Sequence, residues 1–430
     1  MVYHRGNQEI GFIGSNFFWL ILKRYWVGLP AKNMEEKMKK IVLAAAALAM
    51  AATTSTFAAG KAKLKVWESD GAEKNFIQQA IKDYKKINKN VSISYEPVAS
   101  TDARAKIELD GPAGVGADVF VTPHDHIGAL VAGGHVLPVD DADAYMADFL
   151  PMAKTGATYD GVVYGYPLGA ETYGLFYNKD LCPNPPKTWD EVIAFAKKFN
   201  NKAEGKYALV WPAADGYYGY MFMDSFGAPL FGPNGNDRKQ HNLNSANAIK
   251  GLTYFQNLRK QILDIPAADA SGDFCNAEFV EGKAAMIITG PWKINDFKKS
   301  GVNFGITTLP AFPGTDHPAN SFSGVRLAFV SSYSEYPEEA KAFAKFITSK
   351  EMLEKRFEIT DQIPPRKDID TNKELSNGIK AQLVYAKPMP TIPQLGTYWS
   401  AMGSAYSGIW DGDDVKADLN AAAQAMEAAK

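Results

Sequence analysis

An acidic side chain, an aromatic ring or both recur at four places in this chain, each just after a short apolar segment. The four are Glu68-Ser69-Asp70-Gly71, Pro123-His124-Asp125-His126, Asp215-Gly216-Tyr217-Tyr218 and Gly290-Pro291-Trp292. Carboxylates beside flat aromatic faces suit a carbohydrate. Its hydroxyls need hydrogen-bond acceptors and donors, and the C–H face of a sugar ring packs on an aromatic plane. A phosphate would instead want cationic groups and free backbone N–H. His124 and His126, two apart on an extended segment, could share a metal, but a third or fourth ligand of matching type is not evident. No metal or other cofactor is expected. Asp125 or Glu171 could equally be half of a glycosidase pair, which needs two carboxyls across the scissile bond. The chain carries no G-x-S-x-G, Walker loop or G-x-G-x-x-G. Tyr217, Tyr218 and Tyr220 read as core packing or, because Gly216 and Gly219 favour a loop, as rings exposed in a cleft. Trp292 and Trp399, each taken alone, read as core.

The elements that must position these residues alternate in type. Leu64 to Trp67 alternates as a strand, and Phe76, Ile77, Ala80, Ile81, Tyr84 and Ile87 recur at helical spacing. Val91 to Tyr95 alternates again, so strand, helix and strand form a βαβ unit with a parallel pair. Ala117–Thr122, Tyr207–Trp211, Ala285–Thr289 and Leu327–Ser331 read as further strands. Thr188-Trp189-Asp190-Glu191 is a capping box that predicts a helix through Phe199. Ile249, Leu252, Phe255, Leu258 and Ile262 mark another helix, and Pro337 suits the first position of one more. The fold class is α/β. In open parallel sheets ligands bind beyond the carboxyl ends of the strands, where all four acidic and aromatic segments lie.

Length and composition bound the rest. A chain of 430 residues exceeds the roughly 250–300 at which one core stops growing, so two lobes are expected. With 46 basic and 48 acidic groups and no basic cluster, nucleic acid is an unsuitable partner. Met38-Lys39-Lys40, the apolar run Ile41 to Ala52 and the small residues to Ala59 read as a secretory signal peptide over residues 38–59. Residues 1–37 read as a mispredicted upstream extension. No cysteine near the cleavage region offers a lipid anchor. Cys182 and Cys275 could pair in an oxidising compartment or stay as two thiols.

Several stretches resemble the maltose/maltodextrin-binding proteins of bacterial ABC importers. They are Tyr177-Asn178-Lys179-Asp180-Leu181, Pro183 to Trp189, Gly290-Pro291-Trp292, and Met389-Pro390 with Ile392-Pro393-Gln394 ahead of Trp399. Tyr166-Pro167 with Glu171, and His124-Asp125, fit as well. The resemblance implies two α/β lobes, each a mainly parallel sheet flanked by helices, with sugar enclosed at the hinge. By analogy the N-terminal lobe is 60–170 plus 326–364, and the C-terminal lobe is 171–325 plus 365–430. Asp125 and Glu171 match acids that accept sugar hydroxyls, and Tyr217, Trp292 and Trp399 match aromatic platforms. Asp70 and Asp215 lie near polar family positions, and His126 and Tyr218 complete the expected ligand-binding set. The chain departs from the best-known members at Thr122 (a Trp there), His126 (Arg), Ser400 (Tyr) and Gly403 (Arg). The implied protein is a periplasmic monomer, not an enzyme, that carries maltose or maltodextrin to a membrane permease and its ATPase. A binding protein for another oligosaccharide, such as a cyclodextrin, or a secreted polysaccharide hydrolase are the alternatives.

Overall fold

The computed structural model describes residues 61–232 and 235–429. The signal peptide and upstream extension expected over residues 1–59 lie outside the described residues. The chain opens with the expected βαβ unit. Strand β1 (Ala62–Glu68) runs parallel to β2 (Val91–Pro97), with Val66 opposite Tyr95. The helix Ala72–Ile87 between them buries Phe76, Ile77, Ala80 and Tyr84 along one face. Glu73 in its first turn and Lys85 and Lys86 in its last complement the helix dipole. Strand β3 (Val119–Pro123), buried at every position, pairs parallel on the other side of β1.

Beyond β3, β4 (Thr158–Tyr159) and β5 (Val162–Val163) form a small hairpin, followed by β6 (Tyr166–Thr172) and β7 (Gly174–Asn178). Next come β8 (Met286–Thr289), β9 (Phe304–Thr307), β10 (Ser321–Val330) and β11 (Ala386–Pro388). The larger sheet runs β11-β10-β3-β1-β2, with β6 also paired to β10. The smaller sheet is β8-β7-β9. The capping box forms as expected: Glu191 N–H donates to Thr188 Oγ1 at 3.2 Å, and Glu191 Oε2 accepts from Thr188 N–H at 3.2 Å. It starts the helix Trp189–Phe199. The helices Ala246–Ile262 and Pro337–Ile347 also lie where the apolar spacing put them.

Two separate apolar cores result. Val66, Phe76, Phe120, Leu130, Phe329 and Phe343 belong to the first. Phe176, Trp189, Trp211, Phe222, Phe255 and Trp410 belong to the second. Strands β6 and β10 contribute to both: Tyr166 and Leu327 pack in the first core, Ala170 and Phe322 in the second. The architecture is a two-lobed α/β fold. Cys182 and Cys275 are free, buried thiols, and burial pushes Cys275 up to about 12.

Three local expectations are corrected. Residues 207–211 do not form a continuous strand. Tyr207 bridges Ala284 and Val210 bridges Ile287 of β8, both in parallel fashion, but the bridges fall three residues apart, which breaks the two-residue alternation of a ladder. The strand expected at Leu327–Ser331 begins six residues earlier, because the polar side chains that disguise it are satisfied internally. Ser321 Oγ, for example, lies 2.7 Å from Thr172 Oγ1 and accepts from Gln382 Nε2 at 3.0 Å.

Finally, Tyr217, Tyr218 and Tyr220 lie on a helix, Gly216–Asp224, rather than a loop. Gly219 serves close packing: a Cβ there would stand 2.3 Å from the ring of Tyr406, which is fully buried. Gly219→Ala should therefore destabilise the protein by about 1–3 kcal/mol through overpacking. Urea unfolding checks this, and an unchanged midpoint would show that the Tyr406 ring can yield.

Candidate ligand-binding cleft

A cavity of about 1260 Å³ is lined by Asp70, Asp125, His126, Glu171, Asp215, Tyr217, Tyr218, Trp292 and Trp399. All nine residues expected at the site are thus brought together from separate parts of the chain. Their surroundings differ sharply.

The turn after β3 is anchored by His124. Its Nδ1 accepts from Val325 N–H at 3.1 Å, so its Nε2 carries the proton and donates to the Met389 carbonyl at 3.1 Å. With both nitrogens engaged by backbone, His124 holds the turn in place and is not free to chelate with His126. This fixes Asp125 against the cavity, where its Oδ2 accepts from Trp399 Nε1 at 3.2 Å. Trp399 lies on the helix Leu395–Asp411, which packs in the second core, whereas β3 packs in the first. One hydrogen bond therefore spans the cleft.

Glu171, near the end of β6, is buried and accepts from Arg326 Nη2 on β10 at 3.1 Å. Gly324, opposite Glu171 in the ladder, leaves room for it: a Cβ there would meet the Glu171 side chain at 3.2 Å. Arg326 also donates through Nη1 to Ser100 Oγ. Burial alone would lower the guanidinium, but Glu171, with Glu68 and Glu73, holds it above its ordinary value. Arg326 lines the cavity and was not among the expected residues. A single charge inside the apolar run Val325 to Val330 was the available signal.

Asp215 caps the helix Gly216–Asp224, with Oδ1 accepting from Tyr217 N–H at 2.7 Å. Tyr217 lies 6.1 Å from Phe322, near parallel, and 6.2 Å from Trp292. Phe322 in turn meets Trp399 edge-on at 5.9 Å. Gly290 lets the Trp292 ring fold back over the chain, since a Cβ would sit 2.2 Å from it. Tyr218 is largely buried against Tyr173, and Tyr220 stacks on Phe322 at 3.5 Å inside the second core. Of the three tyrosines, Tyr217 and Tyr218 face the cavity and Tyr220 packs. Asp70 stands at the rim, two-thirds exposed, bound to Lys74 at 3.1 Å. Acceptors and rings thus line one open cleft, with the Glu171–Arg326 pair buried in its lining.

Residues 79–383 match the family described as bacterial extracellular solute-binding protein. The chain belongs to that family. The maltodextrin-binding protein MdxE of Bacillus subtilis (strain 168) is 30% identical over 77% of this chain and 81% of its own. The galactooligosaccharide-binding protein of the same strain is also 30% identical, over 86% and 89%. A cyclo/maltodextrin-binding protein solved with maltotetraose superposes with a TM-score of 0.73 at 34% identity, covering 85% of this chain and 96% of that one. Among the described residues of this solute-binding protein, no helix is long and apolar enough to cross a membrane.

Burial holds both His124 and His126 below the ordinary value of 6.5. In the unfolded chain both take up a proton near 6.5, while the folded protein resists it, so acid favours unfolding. Their contribution is complete above 6.5 and is lost as pH falls through the depressed folded values. The urea midpoint of the solute-binding protein should therefore drop between pH 7 and about 5.5, and a flat or rising midpoint would contradict the assignment.

Proposed function

We propose that this protein binds maltose or a maltodextrin between its two lobes and delivers it to the permease and ATPase of an ABC importer. The observation that carries the reading is the single cavity that joins Asp125 and Glu171 to Trp292, Tyr217 and Trp399. Carboxylates supply charge-assisted hydrogen bonds to sugar hydroxyls, and the rings supply apolar area to the C–H faces. The protein acts as a monomer in the periplasm, reached through the signal peptide of residues 38–59, and turns over no substrate.

Residues 60–170 with 326–364 form one lobe in this reading, and 171–325 with 365–430 the other. Membership of β6 and β10 in both cores supports placing the hinge where these strands pass between the lobes. A sugar that touches both lobes favours the closed arrangement, whereas one bound to a single lobe could not shift that equilibrium.

The relatives named for maltodextrin, cyclo/maltodextrin and galactooligosaccharide define the test. In a thermal-shift panel of maltose, maltotriose, a cyclodextrin and a galacto-oligosaccharide, maltotriose should raise the melting temperature most, because a ligand that binds only the native state stabilises it. A larger shift with the galacto-oligosaccharide would replace the proposed ligand. New reducing ends after prolonged incubation with maltodextrin would favour a hydrolase. Trp292→Ala and Trp399→Ala should each weaken maltotriose binding by about 1–3 kcal/mol, the scale of a buried aromatic contact. Calorimetry that found parental affinity in both variants would remove the rings from the site.

A further inference from the structure

The hydrogen bonds around Thr122 determine which nitrogen of His126 carries its proton. Thr122 is fully buried on β3, and its Oγ1 lies 2.8 Å from the carbonyl oxygen of Ser100. A carbonyl can only accept, so the single hydroxyl proton of Thr122 goes to Ser100. The same Oγ1 lies 2.6 Å from His126 Nδ1 and has only lone pairs left to offer. Nδ1 must therefore be the protonated nitrogen. In the neutral ring that leaves Nε2 with a free lone pair.

The place of that lone pair matters. Nε2 is 3.8 Å from Asp125 Oδ2, too far for a direct hydrogen bond, and both residues line the cavity. Asp125 Oδ2 already accepts from Trp399 Nε1 at 3.2 Å, and the remaining lone pairs of the carboxylate stand beside the lone pair of His126 Nε2 as acceptors for further donors. The charged groups facing the ring are Asp125 on its own turn, Arg104 and Glu108 on the helix Ala103–Asp110, and Arg326 on β10. Both signs are present, and burial keeps the imidazole neutral.

We infer that Thr122 is a positioning residue that holds His126 in the Nδ1–H form, making His126 Nε2 and Asp125 a paired acceptor for two neighbouring hydroxyls of the bound glucan. This rests on the proposed sugar-binding function. A protonated His126 would turn Nε2 from an acceptor into a donor, drawn towards the carboxylate of Asp125, and one of the two hydroxyls would lose its acceptor.

The test uses the full chain with nitrogen-15 histidine. Long-range nitrogen–proton correlations should show His126 protonated at Nδ1 in the parent and in Thr122→Ser, and at Nε2 or mixed in Thr122→Val. Calorimetry should give roughly fivefold weaker maltotriose binding for Thr122→Val, the scale of one misplaced hydrogen bond, with parental affinity restored in Thr122→Ser. Parental binding should also weaken as pH falls through the titration of His126. A parent protonated at Nε2 overturns the inference whatever the binding data show, and so does Thr122→Val binding like the parent. A parent protonated at Nδ1 that binds no maltotriose overturns the proposed ligand and its recognition by this pair, while upholding the role of Thr122.

Discussion

Two strands that must serve two cores set the terms for the rest of this molecule. Strands β6 and β10 pair antiparallel, and each leaves one core and enters the other. Every residue of β6 and β10 is buried, so the polar groups they carry near the crossing have no solvent to face. A buried charge survives only with a partner and further hydrogen bonds. Glu171 and Arg326 meet diagonally across this ladder and supply one another, with Ser100 taking a second guanidinium nitrogen. The cleft opens where the crossing occurs, and its floor is therefore charged while its walls are aromatic.

The charge extends beyond that pair. Arg356, also fully buried, reaches Glu68 at 3.3 Å and Gln362 at 2.9 Å, and Gln362 donates to Glu73. Burial pushes the Glu68 carboxyl up from its ordinary value, against the pull of Arg356. Three carboxylates, Glu171, Glu68 and Glu73, thus lie in one buried network with two guanidinium groups. Such networks contribute little net stability compared with an apolar replacement, but removing one member strands the others. Their geometry holds the acceptors in place before any ligand arrives, which is what directional recognition of hydroxyls needs.

The wall is built differently. Trp292, Tyr217, Phe322 and Trp399 come from four segments and touch in sequence, with centroid separations of about 6 Å and mixed tilts. Rings that pack on one another present fixed faces, and Gly290 leaves the space in which Trp292 lies, because a side chain there would collide with its ring. Aromatic rings also fill both cores, Phe76, Phe120 and Phe329 in the first and Phe176, Trp189 and Trp211 in the second.

The sequence by itself determined the α/β class, the opening βαβ unit and the capping box at Thr188, because these depend on residues within a few turns of one another. It also determined which acids and rings gather at the cleft, since strand ends and a family resemblance both mark them. Tertiary structure decided the rest. Tyr217 and Tyr218 sit on a helix, and Gly219, which suggested a loop, serves close contact with Tyr406, 187 positions beyond it. Residues 207–211 lose continuity as a strand because their bridges to Ala284 and Ile287 fall three residues apart. Arg326 enters the site, and the proton on His126 is assigned, through Glu171, Ser100 and Thr122. Gly219 answers to a ring and Arg326 to a carboxylate and a hydroxyl, all distant in sequence, and such contacts are chosen by proximity in space, which local sequence pattern does not encode.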